Sequence, residues 1–192
     1  SRPDGIDVVS IVTPNHLHVP IAKIFADKGI HIICDKPIGM SSEEAIDLKK
    51  IIESKKLIFA LTHNYTGYPM VRHARSLVQK GDLGSLRVIQ AEYPQDWLTT
   101  KAEDSGLKQA EWRTDPNRSG AGGCIGDIGT HAYNLIRFIT GLEVDEISAD
   151  IHTFVEGRKV DDNAQIMLRF IGGAKGSIWS SQVAVGNENN LK

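Results

Sequence analysis

An aspartate and a histidine stand four residues apart, Asp127 and His131, in the run Gly122-Gly123-Cys124-Ile125-Gly126-Asp127-Ile128-Gly129-Thr130-His131. Residues at that spacing share one face of a helix. A carboxylate there can fix the tautomer and orientation of an imidazole whose unperturbed pKa is about 6.5, which is how a general base is built. Asn134 extends the face, and Ile128, Ala132, Leu135 and Ile139 form an adjacent apolar stripe, so the polar face borders the core. An ordinary helix pair worth a few tenths of a kcal/mol is the plainer reading. The glycines at 122, 123, 126 and 129 favour the functional one. Each costs a helix about 1 kcal/mol relative to alanine, so a cluster implies close approach of backbone or ligand.

Two further runs follow apolar segments. In Asp35-Lys36-Pro37 the proline cannot continue a sheet ladder and biases Lys36 toward extended backbone. An ammonium held there can hydrogen-bond an alcohol or carbonyl oxygen and stabilise negative charge developing on it. Taken alone, a strand-end salt bridge of Asp35 with Lys36 explains these residues at least as well. In Thr13-Pro14-Asn15-His16-Leu17-His18 the backbone amides at a helix start can hold an anion, and Asn15 and His18 can hydrogen-bond a ligand. The plainer reading is a strand-to-helix turn capped by Asn15. His16 and His18 have no third ligand at useful spacing, so no metal site is expected.

The elements that must position these runs follow from periodicity. Asp7 to Thr13, His31 to Cys34 and Leu57 to Leu61 are short, apolar and rich in branched residues, as buried parallel strands are. Between them lie a helix from Asn15 to about Lys28, ended at Gly29, and a helix opened by a Ser41/Glu44 capping box with Ala45, Leu48 and Ile52 inward. This β-α-β-α-β order implies a parallel sheet with right-handed crossovers. After His63 the pattern changes. A helix runs from Pro69 to Lys80, a strand spans Ser85 to Tyr93, and Asp96 to Ser119 is a polar stretch without period. A helix ending at Gly141 follows, then strands at Val144 to Val155, Ala164 to Phe170 and Ala174 to Val185, suited to a mixed or antiparallel sheet. Three strands and two crossovers make half of a doubly wound dinucleotide fold, and no G-x-G-x-x-G opens a helix after a strand. The expectation is therefore a fragment cut at both ends, with the strand at Asp7 to Thr13 exposed as an edge.

Together and in this order, Thr13 to His18 (TPNHLH), Cys34 to Pro37 (CDKP), His63 to Tyr65 (HNY) and Gly122 to His131 (GGCIGDIGTH) resemble the Gfo/Idh/MocA family of oxidoreductases. The resemblance covers nearly the whole chain. It implies an α/β fold: residues 1–62 as the C-terminal half of a Rossmann-type dinucleotide-binding domain, and residues 63–192 as part of an α+β substrate and oligomerisation domain with a mixed or antiparallel sheet. The family's usual Glu-Lys-Pro is here Asp35-Lys36-Pro37, with an acid one methylene shorter. Carried over by motif, Lys36, His131 and Asp127 are catalytic. Thr13, Pro14, Asn15, His18, Asp35 and Lys36 contact the cofactor, and Tyr65, Trp112, Arg113 and Asn134 face substrate.

The implied reaction passes a hydride between a secondary alcohol of a sugar or cyclitol and NAD or NADP. His131 takes the hydroxyl proton, Lys36 hydrogen-bonds the same oxygen, and Asp127 orients the site. The segment that would choose between NAD and NADP is absent from the chain. Two alternatives stay open: an NAD-dependent glycosidase or lyase using transient oxidation, and a non-catalytic sugar- or dinucleotide-binding regulator. The family habit of pairing through the open sheet face implies a homo-oligomer, with Ile166, Leu168, Ile178 and Trp179 as the expected face.

Composition limits the partners. With 22 Lys plus Arg against 24 Asp plus Glu, the net charge is −2, and nothing suggests nucleic acid or an anionic membrane. No apolar stretch approaches a membrane span, and Ser1 to Gly5 has no signal pattern. Cys34 and Cys124 stand apart as two reduced thiols, which suits a cytoplasmic protein.

Overall fold

The three short apolar runs satisfy their backbones on one another. In the computed structural model β1 (Val8–Ile11), β2 (His31–Asp35) and β3 (Phe59–Thr62) form a parallel sheet in the order β1-β2-β3. The structure describes residues 5–192; Ser1 to Asp4, part of the stretch read for a signal pattern, lie outside the described residues. The chain folds as two compact units, Ser1–Thr62 with Asn117–Ala121 and His63–Pro116 with Gly122–Lys192.

In the first unit α1 (His18–Asp27) and α2 (Ser42–Ser54) are the crossovers. Val19, Ala22 and Ala26 of α1 and Leu48 and Ile52 of α2 bury against Ile11, Ile32 and Cys34. Fully burying one such aliphatic side chain is worth about 1.5–3 kcal/mol. The capping box forms with a variation. Ser41 Oγ accepts from the Glu44 amide at 3.3 Å, while the Glu44 carboxylate accepts from the Met40 amide at 2.8 Å, one residue earlier than the standard partner. Asn15 does not cap a helix as expected. A 3-10 turn, Asn15–Leu17, precedes α1, and Asn15 Nδ2 donates to the Ser119 carbonyl at 2.7 Å instead. A buried amide satisfied by a segment 104 residues away leaves no trace in local spacing.

The second unit is a five-stranded mixed sheet in the order β5-β6-β7-β4-β8. Its strands are β4 (Val88–Pro94), β5 (Val144–His152), β6 (Asn163–Phe170), β7 (Lys175–Ser181) and β8 (Asn190–Leu191), with only β4 and β7 parallel. Its longer helices are α3 (Pro69–Lys80) and α6 (Thr130–Thr140). Ala132 and Ile136 of α6 pack on Ile89, Ala91, Leu168 and Ile178, so the helix carrying His131 is anchored to the sheet. Gly141 ends α6 in the left-handed region at φ 70°, as its position after the last apolar residue suggests.

Two expectations are corrected here. The polar stretch 96–119, aperiodic in sequence, is not without regular structure. It holds a 3-10 turn, Ala102–Ser105, and the short helices α4 (Lys108–Arg113) and α5 (Pro116–Ser119), all too brief to show a period. The proposed oligomer face mixed two sides of the sheet. Ile166 pairs with Ile178 and shares a face with Leu168, and Leu168 and Ile178 are core, whereas Trp179 pairs with Gln165 on the opposite face.

Among the described residues no helix is long and apolar enough to cross a membrane. Both cysteines are free and buried. Burial, then the charge of Asp35, pushes the Cys34 thiol up to about 12, and burial with the Asp161 carboxylate pushes Cys124 up as well. Neither thiol ionises at pH 8, so a thiol reagent is expected to leave the native chain unlabelled and to modify both only on unfolding. Rapid labelling of the native chain would contradict this.

Candidate active site

In the first unit the chemistry-bearing turns lie at the carboxyl ends of β1 and β2, the edge where open parallel sheets take ligands. Thr62 at the end of β3 donates its hydroxyl to Asp35 Oδ1 at 2.6 Å, which fixes the acid of the Asp35-Lys36-Pro37 run. The Lys36–Pro37 peptide is cis, and Lys36 is half-buried. His18 departs from its expected role. It is 1% exposed, with Nδ1 2.7 Å from the Pro37 carbonyl and Nε2 2.7 Å from the Thr13 carbonyl. Both ring nitrogens are engaged by backbone, so His18 straps the two turns together and offers no ring atom to a cofactor. The amide nitrogen of Asn15 is likewise committed to Ser119. Thr13 Oγ1, in contrast, is buried without a hydrogen-bond partner.

In the second unit the glycine-rich run serves backbone packing. Asp161, just ahead of β6, accepts the Gly123 amide at 2.6 Å, the Ile125 amide at 2.9 Å and the Cys124 thiol at 3.0 Å. A Cβ at Gly123 would lie 2.0 Å from the Asp161 carbonyl oxygen, so only glycine permits this approach. Held from that side, the chain enters a π-helical turn, Ile125–Gly129, directly before α6. Single π turns inside helices occur often at functional sites.

That turn carries Asp127. Its Oδ2 accepts from Arg113 Nε at 3.2 Å and from Gln182 Nε2 at 2.9 Å. The Arg113 guanidinium also lies 4.1 Å over the Trp112 ring and bonds Gln109, so Trp112, Arg113 and Asp127 form one cluster. His131, 9% exposed, meets the Tyr65 ring edge-on at 4.7 Å and the His63 ring at 6.0 Å. The Tyr65 and Tyr93 hydroxyls are 2.7 Å apart. Burial, then the hydrogen bond with Tyr93, then nearby charges including Asp127 raise the Tyr65 phenol above its ordinary pKa, which keeps it protonated at neutral pH. Asn134, one turn along α6, is partly buried.

Five residues read from the sequence are thus placed in one neighbourhood: Tyr65, Trp112, Arg113, Asp127 and His131. Gln182 was not foreseen in it. Gln182 lies just past β7 with no motif around it, so no signal in the sequence marks it.

Residues 71–192 match the model of the GFO/IDH/MocA C-terminal domain, and residues 1–63 match the oxidoreductase family with the NAD-binding Rossmann fold. The chain belongs to the GFO/IDH/MocA family. Its first 63 residues carry that family's NAD-binding fold, and the parallel sheet followed by a mixed sheet is the family's α/β architecture. An uncharacterized oxidoreductase, YfiI, from Bacillus subtilis is 33% identical over 187 residues, which is 96% of this chain and 48% of that protein. Levoglucosan dehydrogenase from Pseudarthrobacter phenanthrenivorans is 32% identical over 97% of this chain and 52% of its own length. The crystal structure of an inositol dehydrogenase homolog complexed with NAD+ from Azotobacter vinelandii superposes with a TM-score of 0.94 at 30% identity, over 99% of this chain and 49% of that one. The GFO/IDH/MocA chain described here spans about half the length of these relatives.

Proposed function

We propose that the full-length protein is a nicotinamide-dependent oxidoreductase acting on a secondary alcohol of a sugar or cyclitol, using NAD or NADP. Residues 1–62 are assigned to nucleotide binding and residues 63–192 to substrate binding and homo-oligomer formation, in the cytoplasm. The observation that carries the reading is the His131 neighbourhood. It places an imidazole on an anchored helix, one turn after a carboxylate fixed by two donors. Relatives named for levoglucosan and for inositol support the substrate class.

In this reading His131 accepts the proton of the substrate hydroxyl. The edge contact from Tyr65 limits how far the ring can turn. Tyr65 stays a protonated phenol and can donate to a neighbouring substrate hydroxyl. Trp112 offers an apolar face, Arg113 holds the Asp127 carboxylate, and Asn134 can hydrogen-bond a further hydroxyl. Lys36 is assigned the stabilisation of negative charge on the reacting oxygen.

The nucleotide edge fits its assigned ligand at one atom. Thr13 Oγ1 is buried without a partner at the carboxyl end of β1, so a ligand at this edge would satisfy it. Thr13, Pro14, Asp35 and Lys36 are the residues assigned to hold the dinucleotide, with Asn15 and His18 shaping the turn beneath. When bound, the nicotinamide supplies the two-electron acceptor.

The test is to present a panel of sugars and cyclitols to the full-length protein with each nucleotide and follow nicotinamide reduction. Reduction that depends on one class of polyol is expected. Turnover without net nicotinamide reduction would favour the glycosidase or lyase alternative, and binding without turnover would favour the regulator.

A further inference from the structure

We propose that Gln182 is a positioning residue that fixes Asp127 for its part beside His131, a role that rests on the catalytic reading above. Two donors converge on one oxygen of Asp127, and they differ in character. Arg113 reaches it from a six-residue helix with its side chain 25% exposed. Gln182 is 2% exposed, and its backbone is pinned on both sides: its amide donates to the Asp162 carbonyl at 2.8 Å, and its carbonyl accepts from Leu98 at 3.1 Å. Arg113 therefore supplies charge from a partly exposed side chain, whereas Gln182 supplies a neutral donor from a buried residue whose backbone is hydrogen-bonded on both sides.

The hydrogen-bond chemistry sets the orientation. An ionised carboxylate only accepts, so the Gln182 amide must turn its NH2 group toward Asp127. A side chain of the same length without a donor removes the buried donor from Asp127. Displacing a supporting group by about 1 Å costs on the order of a hundredfold in rate. Among the described residues, Arg113 from α4 bonds Asp127 directly and Tyr65 ahead of α3 feels its charge, while Tyr93 from β4 and His131 from α6 touch Tyr65 in turn.

Two substitutions separate positioning from bulk. Gln182→Met removes the donor at similar length. Gln182→Glu brings a carboxyl group that can donate to Asp127 only while protonated, because two ionised carboxylates in contact repel. In the full-length protein Gln182→Met is expected to lower kcat about tenfold to a hundredfold at every pH, with KM little changed. Gln182→Glu is expected to fall to the level of Gln182→Met or below it in alkali, and its rate relative to wild type at the same pH is expected to recover as pH falls, because His131 loses activity in acid equally in both proteins.

Melting curves test the contact without relying on turnover. A carboxyl group held protonated in the fold has a raised folded pKa, so its contribution is present at low pH and lost as pH rises. The deficit in Tm of Gln182→Glu relative to wild type should therefore grow from acid to alkali, and that of Gln182→Met should stay constant. Wild-type kcat in Gln182→Met, or parallel pH profiles for wild type and Gln182→Glu, would overturn the positioning role. A pH-independent melting deficit in Gln182→Glu would overturn the contact itself. If the wild type turns over no polyol with either nucleotide, the catalytic reading fails, and the melting series still decides whether Gln182 holds Asp127.

Discussion

Replacing His131 with asparagine is expected to cut turnover of the full-length protein by about a hundredfold to ten-thousandfold, the range a general base contributes. Asparagine keeps a planar polar group on α6 but cannot take up a proton at neutral pH. The structural cost is small by comparison. His131 meets Tyr65 through a ring-edge contact at 4.7 Å, and such contacts are worth about 0.5–1.5 kcal/mol. A change of 1 kcal/mol moves Tm by about 2–4 °C in a chain of this size. A large loss of rate with a shift of a few degrees is therefore the predicted signature, read by paired turnover and melting measurements. Near wild-type turnover would remove His131 from the mechanism.

The largest effect on stability is expected from Arg158→Met, at about 3–5 kcal/mol, the cost of breaking a buried ion pair by removing one partner. The Arg158 side chain is 1% exposed and that of Asp162 is fully buried. The guanidinium donates to the Leu98 carbonyl at 2.9 Å, the Thr100 carbonyl at 3.0 Å, Asp162 Oδ2 at 3.2 Å and both Glu103 carboxylate oxygens. Methionine fills part of the volume but removes the guanidinium from two carboxylates and two carbonyls, and Asp162 keeps the amides of Phe154 and Val155 as donors. Burial pushes the Glu103 carboxyl up, but the hydrogen bond and charge of Arg158 override this and hold it below the usual range. A lowered folded pKa gives stability that is present above the unfolded value, about 4.3, and lost as pH falls through the folded one. The gap between wild type and Arg158→Met should therefore hold from pH 7 down to about pH 4.3 and narrow as pH falls below that value in thermal melts. A gap that is small at pH 7, or that widens in acid, would contradict this account.

The same network shows why part of the fold was hidden in the sequence. The strands β1 to β3 and the helices between them were legible because each is an apolar run closed by a turn residue. The stripe Ile128, Ala132, Leu135 and Ile139 on α6 was legible because a buried helix face repeats every three to four residues, and all four are buried. The stretch 96–119 was not, because Arg158, more than 50 residues away, is what satisfies its carbonyls at Leu98 and Thr100. Asn15 and His18 misled for a related reason. Their residue types announced hydrogen bonding correctly, but the partners are backbone carbonyls of the protein itself, at Ser119, Thr13 and Pro37. Asp127 and His131 were singled out by their spacing, whereas Gln182 reaches Asp127 only through the register of β7 beside β4 and β6.

In the proposed reaction a secondary alcohol is oxidised at carbon and its electrons pass to a nicotinamide. The most direct test uses a polyol accepted by the full-length protein, carrying deuterium on the reacting carbinol carbon. One deuterium is expected on the reduced nicotinamide for each ketone formed, with slower turnover than for the unlabelled polyol. Deuterium released to water, or product formed with no label on the nicotinamide, would contradict the proposed reaction.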